Sequence, residues 1–208
     1  MMYEYAKRSF DVLASLVLLI LLSPIFLIVA IAVRISGDGT IIFRQQRAGV
    51  NGRPFILCKF RTMRSDVDPF GESPKSGQDP RLTRIGRLLR ESSLDELPQL
   101  FNVLKGDMSL VGPRPLYVAQ IAEWSQNQKR RLDVKPGLTG LAQVTGRGAL
   151  TIEQKLDLDV HYVEHRGLWL DIRIAFATAG LIFRRKSIYE NRYSGQEYTR
   201  GQSKKVQN

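Results

Sequence analysis

Ser-Ser-Leu-Asp-Glu-Leu-Pro-Gln-Leu-Phe-Asn, residues 92–102, places two adjacent carboxylates, Asp95 and Glu96, directly before an apolar helical pattern. The apolar side chains recur at helical spacing at Leu97, Leu100, Phe101 and Leu104. Pro98 is tolerated only within the first turn of a helix, where its missing N–H costs nothing. The stretch therefore predicts a helix with Asp95 near its N-cap and Glu96 just inside it.

Two interpretations of this acidic pair follow from its place at a helix start. The positive end of a helix favours an ionised carboxylate and can hold a phosphate. An ionised Asp beside a phosphate can bind a divalent metal or attack phosphorus. Alternatively, Asp95 and Glu96 only cap the helix in contact with water, since Ser93 and Glu96 fit a capping box. Capping acids far outnumber nucleophiles, so these residues alone favour the cap.

The composition narrows the class of protein. The chain has 208 residues, a net charge of +11 and 25% charged residues, which excludes an integral bundle of membrane helices. Such a basic surface suits nucleic acid, anionic lipid or phosphorylated substrates. Cys58 is the single cysteine, which excludes an internal disulfide and a cysteine-based zinc site. His161 and His165 lie one helical turn apart, but no acid follows His161 as in HExxH, so a metal role is not favoured.

Residues 12–33 are almost wholly apolar and, at about 1.5 Å per residue, long enough to cross a bilayer. Ser23-Pro24 interrupts them in the middle, where proline removes a helix hydrogen bond and a serine hydroxyl can satisfy the freed carbonyl. Basic residues flank both ends, so the charge bias selects no side of the membrane. A helix-break-helix that enters and leaves by one face and a kinked single span both remain open on these grounds.

The rest of the chain is predicted to contain short strands, loops and helices. These are strands at 40–44 and 55–60, a loop at 65–80, an amphipathic helix at 81–90, a helix at 117–131, a glycine-rich loop at 136–140 and 145–148, a helix at 152–163, and an apolar segment at 169–183. The basic helix at 81–90 suits an anionic membrane surface. It equally suits a core-facing helix with a solvated basic side.

Four basic side chains are candidate ligands for an anionic substrate. Lys59 and Arg61 lie in a run that holds three cations within six residues, although such a run can also face solvent. Prolines on both sides fix the backbone around Arg114, and arginine matches phosphate oxygens in a bidentate manner. Arg147 lies in the glycine-rich loop, whose glycines alone are a weak signal.

Six motifs, in order and at the usual spacing, resemble those of the bacterial monotopic phosphoglycosyltransferases, or bacterial sugar transferases. They are Lys7–Asp11, Ser23-Pro24, Lys59–Met63, Ser93–Leu100, Gly112–Pro115 and Lys135–Gly140. The resemblance covers about residues 5–185. In size, the chain resembles the minimal form of the family, which consists of the catalytic domain. It changes the interpretation of the acidic pair from a helix cap to a catalytic dyad.

The resemblance implies a two-step transfer of a sugar 1-phosphate from a UDP-sugar to membrane polyprenol phosphate (undecaprenyl phosphate). Asp95 would be the nucleophile that releases UMP and carries the phosphosugar, and Glu96 its partner acid. The family requires Mg²⁺, for which Asp95 is the expected ligand. Arg114 is expected near the nucleotide or its phosphates, while Lys59, Arg61 and Arg147 match basic positions without an assigned contact.

The resemblance also implies the fold class and location. We expect a mainly helical α+β protein, with a re-entrant membrane helix-break-helix, a short β-hairpin and amphipathic surface helices around a small cytoplasmic catalytic domain. The expected units are a membrane anchor at 1–36, a catalytic domain at 37–185 and a polar tail at 186–208. In this family the break at Ser23 and Pro24 keeps both helix ends on the cytoplasmic face of the bacterial inner membrane. Membrane lipid is then a partner and nucleic acid is not.

A membrane-tethered basic binding protein without catalysis is the alternative. The net charge and the arginines of 81–90 support it. It accounts neither for the paired acids nor for the Pro-Arg-Pro sequence.

Overall fold

The computed structural model describes residues 2–36, 40–67, 74 and 76–184, with backbone only for 182–184. The α-helices of this part are α1 Met2–Leu21, α2 Ser23–Ser36, α3 Arg84–Ser92, α4 Gln99–Lys105, α5 Gln126–Lys129, α6 Leu141–Thr145, α7 Ile152–His165 and α8 Leu168–Arg184. The strands are β1 Ile42–Ala48, β2 Pro54–Phe60, β3 Ser109–Val111 and β4 Gly137–Thr139. The predicted mainly helical α+β class is confirmed.

The predicted break in the apolar N-terminal segment is confirmed. Helices α1 and α2 meet at an angle of 64°. The Ser23 hydroxyl donates a hydrogen bond of 2.8 Å to the Ile20 carbonyl, the group that the missing N–H of Pro24 leaves without a partner. Within the described residues, no single helix is long and apolar enough to cross a bilayer, whereas this bent pair together meets that length and composition.

Polar contacts fix α1 to the rest of the protein. The Arg8 guanidinium donates to the carbonyls of Val103 and Leu104, at 2.6 and 2.8 Å, and so caps the end of α4. The buried carboxylate of Asp11 accepts a hydrogen bond of 3.0 Å from the Leu110 amide. The N-terminal helix is therefore part of the folded body along its first half.

A buried carboxylate on α8 joins three elements. Asp171 accepts hydrogen bonds from Lys7 at 2.6 Å, from the Tyr3 hydroxyl at 2.9 Å and from the Tyr162 hydroxyl at 2.7 Å. These donors lie on α1 and α7, so Asp171 holds both helices against α8. Such a fully paired buried carboxylate fixes the arrangement of its neighbours because leaving any partner unpaired is costly.

Helix α2 buries one side against the rest of the protein. Val29 and Val33 pack with Phe60 and Leu89 in one apolar cluster. Because the first half of α1 is also attached, the two arms of the bent pair both rest on the same body.

The first strand of the hairpin was predicted to begin and end too early in the sequence. β1 runs over 42–48 rather than 40–44 and pairs antiparallel with β2, from Ile42 opposite Phe60 to Ala48 opposite Pro54. A 3-10 turn at Val50–Gly52 connects them, with Asn51 and Gly52 at positive φ. This agrees with the predicted turn around Asn51-Gly52.

The predicted glycine-rich loop is in part a strand, which is a correction. β4 pairs in parallel with β3, because the glycines let two backbones approach closely. A Cβ on Gly137 would lie 2.1 Å from the Gly112 amide nitrogen. This contact joins Gly112–Pro115 to the Lys135–Gly140 segment.

The predicted helix at 117–131 is wrong. The segment consists of 3-10 turns at Val118–Glu123 and Arg130–Asp133 around the short α5. Trp124 is extended and buried, and Ser125 begins α5 as an N-cap with a capping box, so the chain starts a new helix there. Arg131, at the end of the predicted helix, is buried.

Helix α8 has two unlike faces. Ile174 and Asp171 are buried, whereas Leu168, Trp169 and Phe176 are exposed, Trp169 by 72% and Phe176 by 76%. One face of the predicted apolar segment at 169–183 therefore lies in the core, and the other face is exposed. The predicted tail at 186–208 and part of the 65–80 loop fall outside the described residues.

Candidate active site

The acidic pair lies on a 3-10 turn, Leu94–Glu96, between α3 and α4. Ser93 ends α3 at a φ of 59°, and Pro98 is the N-cap of α4. The prediction that Glu96 lies inside the first turn of the helix is therefore wrong. The predicted capping box of Ser93 and Glu96 is also wrong, because the Ser93 side chain caps neither helix. The left-handed conformation of Ser93 redirects the chain and separates the two acids from both helices.

Glu96 holds two cations. Its Oε1 atom lies 2.8 Å from Lys59 Nζ and 3.0 Å from Arg114 Nη2. Burial by itself would raise the pKa of the Glu96 carboxyl, but Lys59 and Arg114 outweigh it and hold that pKa well below its usual range. Glu96 is thus ionised and committed to its two partners.

Asp95 differs sharply from its neighbour. It is only 8% exposed, and within the described residues its carboxylate takes part in no hydrogen bond or ion pair. Burial raises the pKa of Asp95, against the opposing charge of Lys59. The fold therefore places a buried carboxylate that has no partner among the described residues next to one that holds two cations. This contradicts the alternative in which both acids simply cap a helix in water.

Lys59 lies near the end of β2, and burial lowers the pKa of its amine while Glu96 opposes that change. Arg61, two residues further on, makes no hydrogen bond or ion pair to either acid, all three residues being within the described chain. The structure thus brings together Lys59 and Arg114, but not Arg61, at the acidic pair.

A buried ion pair fixes the backbone at Arg114. Arg131 donates to one carboxylate oxygen of Asp159 at 2.7 and 3.1 Å, and to the Arg114 carbonyl at 2.5 Å. The Pro-Arg-Pro segment is therefore held both by its prolines and by a buried guanidinium. Sequence reasoning missed this support, because nothing in the sequence pairs Arg131 with Asp159, 28 residues further along the chain.

Arg147 reaches the site through Ser93. Its Nη2 donates a hydrogen bond of 3.0 Å to Ser93 Oγ, and both residues have positive φ, 49° and 59°. Burial, followed by the like charge of Arg114, lowers the pKa of Arg147, while Glu96 and Asp95 oppose this change. Arg147 therefore lies near enough to Arg114 and to both acids for their charges to act on it.

Two further residues support the site and were not predicted. Arg90 donates to Thr62 Oγ1 at 2.9 Å, and its charge acts on Asp95. Asn102 accepts from the Cys58 amide at 3.0 Å and donates to the Ile56 carbonyl at 2.7 Å, tying α4 to β2. A polar Asn102 among the apolar residues Leu100, Phe101, Val103 and Leu104 was the available signal.

Comparisons with known proteins identify the family of this chain. The family described as bacterial sugar transferase matches residues 2–185. The chain belongs to the bacterial sugar transferase family. The family expected from the six motifs is thereby confirmed, and with it the prediction that the chain is an enzyme rather than a basic binding protein.

Relatives of this sugar transferase cover most of its length. It is 43% identical over 194 residues to the sugar transferase EpsL of Bacillus subtilis, covering 93% of this chain and 95% of that one. It is 42% identical over 187 residues to a UDP-glucose:undecaprenyl-phosphate glucose-1-phosphate transferase of Caulobacter vibrioides, covering 84% and 68%. It is 40% identical over 201 residues to an undecaprenyl-phosphate galactose phosphotransferase of Salmonella typhimurium, covering 89% of this chain and 42% of that protein.

The basic helix predicted at 81–90 is shifted in this sugar transferase. α3 spans 84–92 after the N-cap Thr83, and its apolar residues divide between two environments. Leu89 is buried against α2, whereas Leu88 is 57% exposed. The helix therefore packs on the core and presents apolar surface outward at the same time.

The site can offer Mg²⁺ a single carboxylate ligand. Among the described residues, no group of three or more His, Cys, Asp or Glu side chains could hold a metal. Mg²⁺ commonly binds one or two carboxylates and completes its shell with water and substrate phosphates. Asp95, with its carboxylate unpaired, meets that requirement. His161 and His165 stack at 4.1 Å between ring centroids without a third ligand.

Proposed function

We propose that this sugar transferase moves a sugar 1-phosphate from a UDP-sugar to membrane polyprenol phosphate, through a covalent phosphosugar on Asp95. The observation that carries the proposal is the unequal pair. Asp95 is buried and unpaired, while Glu96 neutralises Lys59 and Arg114. The relatives named as undecaprenyl-phosphate glucose and galactose transferases support this substrate class.

In the first step, an Asp95 carboxylate oxygen attacks the phosphorus that bears the sugar. The bond from that phosphorus to the bridging oxygen breaks, and UMP leaves with the electron pair. In the second step, a polyprenol phosphate oxygen attacks the same phosphorus and breaks its bond to Asp95. Asp95 is regenerated as a carboxylate, and the product is a polyprenol diphosphate sugar. No proton has to move in either step.

The surrounding cations lower the barrier to bringing an anionic nucleophile to a charged diphosphate. Arg114 and Arg147 present guanidinium groups to the volume beside the dyad, and we assign them to the phosphates of the donor. Lys59 acts through Glu96, because its amine is already paired there. We assign Arg61 no contact with the reacting groups.

We include Mg²⁺ in the proposal, with Asp95 as its protein ligand. When bound, the metal neutralises phosphate charge and strengthens the electrophile. Lys59, Glu96 and Arg114 hold the turn in place and compensate charge whether or not the metal is present.

We also propose that the bent helix pair enters and leaves the inner membrane by its cytoplasmic face. Both arms rest on the same body, α1 through Arg8 and Asp11 and α2 through Val29 and Val33. The residues near the bend are apolar and exposed, among them Ile20 and Leu21. The lipid-linked product would then form at the membrane surface, where polysaccharide assembly begins.

The experiment is a half-reaction. The purified chain is incubated with Mg²⁺ and a panel of UDP-sugars without acceptor, and the intact protein is weighed. We expect a phosphosugar adduct and one equivalent of UMP with the correct donor. Both should be absent in Asp95→Asn. Glycolipid formation by Asp95→Asn at the unmodified rate would overturn the mechanism.

A further inference from the structure

The loop that carries Arg114 is anchored through its carbonyl groups. The carbonyls on either side of Arg114 are each held by a backbone amide at 2.9 Å, in the pairs Gly137 to Pro113 and Ala48 to Leu116. The Arg114 carbonyl between them accepts a hydrogen bond of 2.5 Å from Arg131 Nη2. Of these three bonds, only that one comes from a side chain. A substitution at Arg131 can therefore release the Arg114 backbone without altering the two bonds beside it.

Arg131 is itself held in one orientation. Its side chain is buried, and its guanidinium lies over the Trp124 ring, 4.9 Å from the ring centroid. Nε and Nη2 of Arg131 both donate to Asp159 Oδ2, at 3.1 and 2.7 Å. Because a guanidinium is a rigid planar fork, the orientation that satisfies Asp159 also fixes the direction of the bond to Arg114. The ion pair thus links α7, which carries Asp159, to the Arg114 loop.

The other end of Arg114 lies at the acidic pair. Its Nη2 is 3.0 Å from Glu96 Oε1, and 44% of its side chain is exposed. Its charge also acts on Asp95. Because so much of the side chain is exposed, packing restrains its guanidinium little. The place of the guanidinium beside Glu96 and Asp95 therefore depends on where the Arg114 backbone is held, and Arg131 holds it.

Stability alone does not account for the buried pair. Replacing a buried ion pair by apolar residues of similar volume is often neutral or stabilising, because burial removes both charges from water. The second carboxylate oxygen, Asp159 Oδ1, is moreover buried without a hydrogen-bond partner among the described residues, which is a further cost. What the pair does supply is a rigidly aimed donor for the Arg114 carbonyl.

We infer that Arg131, oriented by Asp159, is a positioning residue for the first step of the transfer. It sets the place of the Arg114 guanidinium, and through it the place of the donor diphosphate beside Asp95. Neither Arg131 nor Asp159 contacts the reacting groups. The inference rests on the proposed function, in which Arg114 binds the donor phosphates. A small displacement of such a group, on the order of 1 Å, can slow a reaction by as much as about 10²-fold.

The test removes the whole pair, in the double variant Arg131→Met/Asp159→Leu, so that no charge is left buried alone. We expect the full-length chain in detergent to unfold at the same denaturant concentration as the unmodified chain or a higher one. In the half-reaction with varied UDP-sugar, kcat/KM for adduct formation should nevertheless fall at least about tenfold.

A neighbouring ion pair provides the matched control. Arg130 and Glu164 join the same 3-10 turn to the same helix, but their side chains are 46% and 38% exposed, and neither contacts the Arg114 loop. Arg130→Met/Glu164→Leu should therefore change kcat/KM by less than about twofold.

A double-mutant cycle separates positioning from a general structural role. In an Arg114→Ala background, Arg131→Met/Asp159→Leu should slow the half-reaction by less than about twofold further, because the pair acts only through Arg114. A pair that merely stabilises the fold would slow the reaction by the same factor with and without the Arg114 side chain. The cycle distinguishes the two roles whatever the stability of the variants.

The failure of this inference differs from the failure of the proposed function. Equal factors in the two backgrounds, or adduct formation at the full rate by Arg131→Met/Asp159→Leu, would overturn the positioning role and leave the Asp95 mechanism intact. If the unmodified chain formed glycolipid but no adduct on Asp95, the proposed function would fail, and the positioning role with it.

Discussion

Lys59 and Glu96 form an ion pair of 2.8 Å between Nζ and Oε1, with their side chains only 20% and 14% exposed. Arg114 joins the same oxygen from the other side at 3.0 Å. Glu96 thereby keeps two nearby cations occupied that would otherwise be available to Asp95. The fold leaves the Asp95 carboxylate unpaired among the described residues by giving the counter-ions to the adjacent Glu96.

Lys59→Met should destabilise the protein. It leaves Glu96 buried with one cation fewer, and breaking a buried pair by removing one partner typically costs about 3 kcal/mol. We expect that decrease in the free energy of unfolding, measured by urea denaturation in detergent. Lys105→Met is the matched control, since Lys105 pairs with Asp107 at 3.3 Å with 72% of its side chain exposed. It should change stability by less than about 1 kcal/mol. Equal losses in the two variants would contradict the buried pair.

Glu96→Gln should slow the half-reaction without abolishing it. Lys59 and Arg114 would then lose their anion and turn to Asp95, whose pKa would fall and whose carboxylate would become a weaker nucleophile. We expect adduct formation on the order of 10²-fold slower, followed by rapid quenching and intact-protein mass. An unchanged rate in Glu96→Gln would show that Asp95 reactivity does not depend on this arrangement.

Metal binding should depend on the donor substrate. Asp95 is a single carboxylate, so by itself it holds Mg²⁺ weakly, and the donor phosphates should complete the shell. With Mn²⁺ as a spectroscopic substitute, electron paramagnetic resonance should show little bound metal without UDP-sugar and about one ion per chain with it. The Asp95→Asn variant, which does not turn over the donor, should retain several-fold less Mn²⁺. Tight binding without UDP-sugar, or UMP release in excess chelator, would rule out this assignment.

The Ser23-Pro24 bend should determine the topology of the N-terminus. In a chain with Cys58→Ser, Tyr5→Cys should react with an impermeant maleimide from the cytoplasmic side only. Pro24→Ala restores a backbone hydrogen bond worth up to about 3 kcal/mol to a straight helix, so a periplasmic fraction should appear. Labelling of Tyr5→Cys in intact cells without the proline change would refute the re-entrant arrangement.

Local features of this fold were predictable from the sequence. The bend at Ser23-Pro24 and the turn at Asn51-Gly52 follow from the chemistry of neighbouring residues, and both are present. Helical periodicity likewise located α7, and the apolar segment predicted at 169–183 coincides with α8. The catalytic interpretation of the acidic pair came from the motif resemblance, because the residues themselves favoured a helix cap.

The partners that give the site its electrostatics were not predictable. Lys59 lies 37 residues from Glu96, and Arg147 lies 54 from Ser93. The burial of Arg131 and Asp159 was not predictable either, because single charges are costly to bury. Each is buried only because the other compensates it across the fold, which neither periodicity nor composition encodes.

Gly86 should be intolerant of even a methyl group. A Cβ there would lie 1.9 Å from the Thr62 carbonyl oxygen, in the contact that fixes α3, and with it the dyad turn, against the end of the hairpin. Gly86→Ala should therefore lower the free energy of unfolding by about 2 kcal/mol or more, despite the higher helix propensity of alanine. Gly180→Ala is the matched control on α8, where a Cβ would meet no atom within 4 Å. It should be neutral or stabilising by up to about 1 kcal/mol. Thermal and urea denaturation in the same detergent compares the two variants directly. Equal stability of the two variants would show that α3 does not pack closely on the Thr62 carbonyl at Gly86.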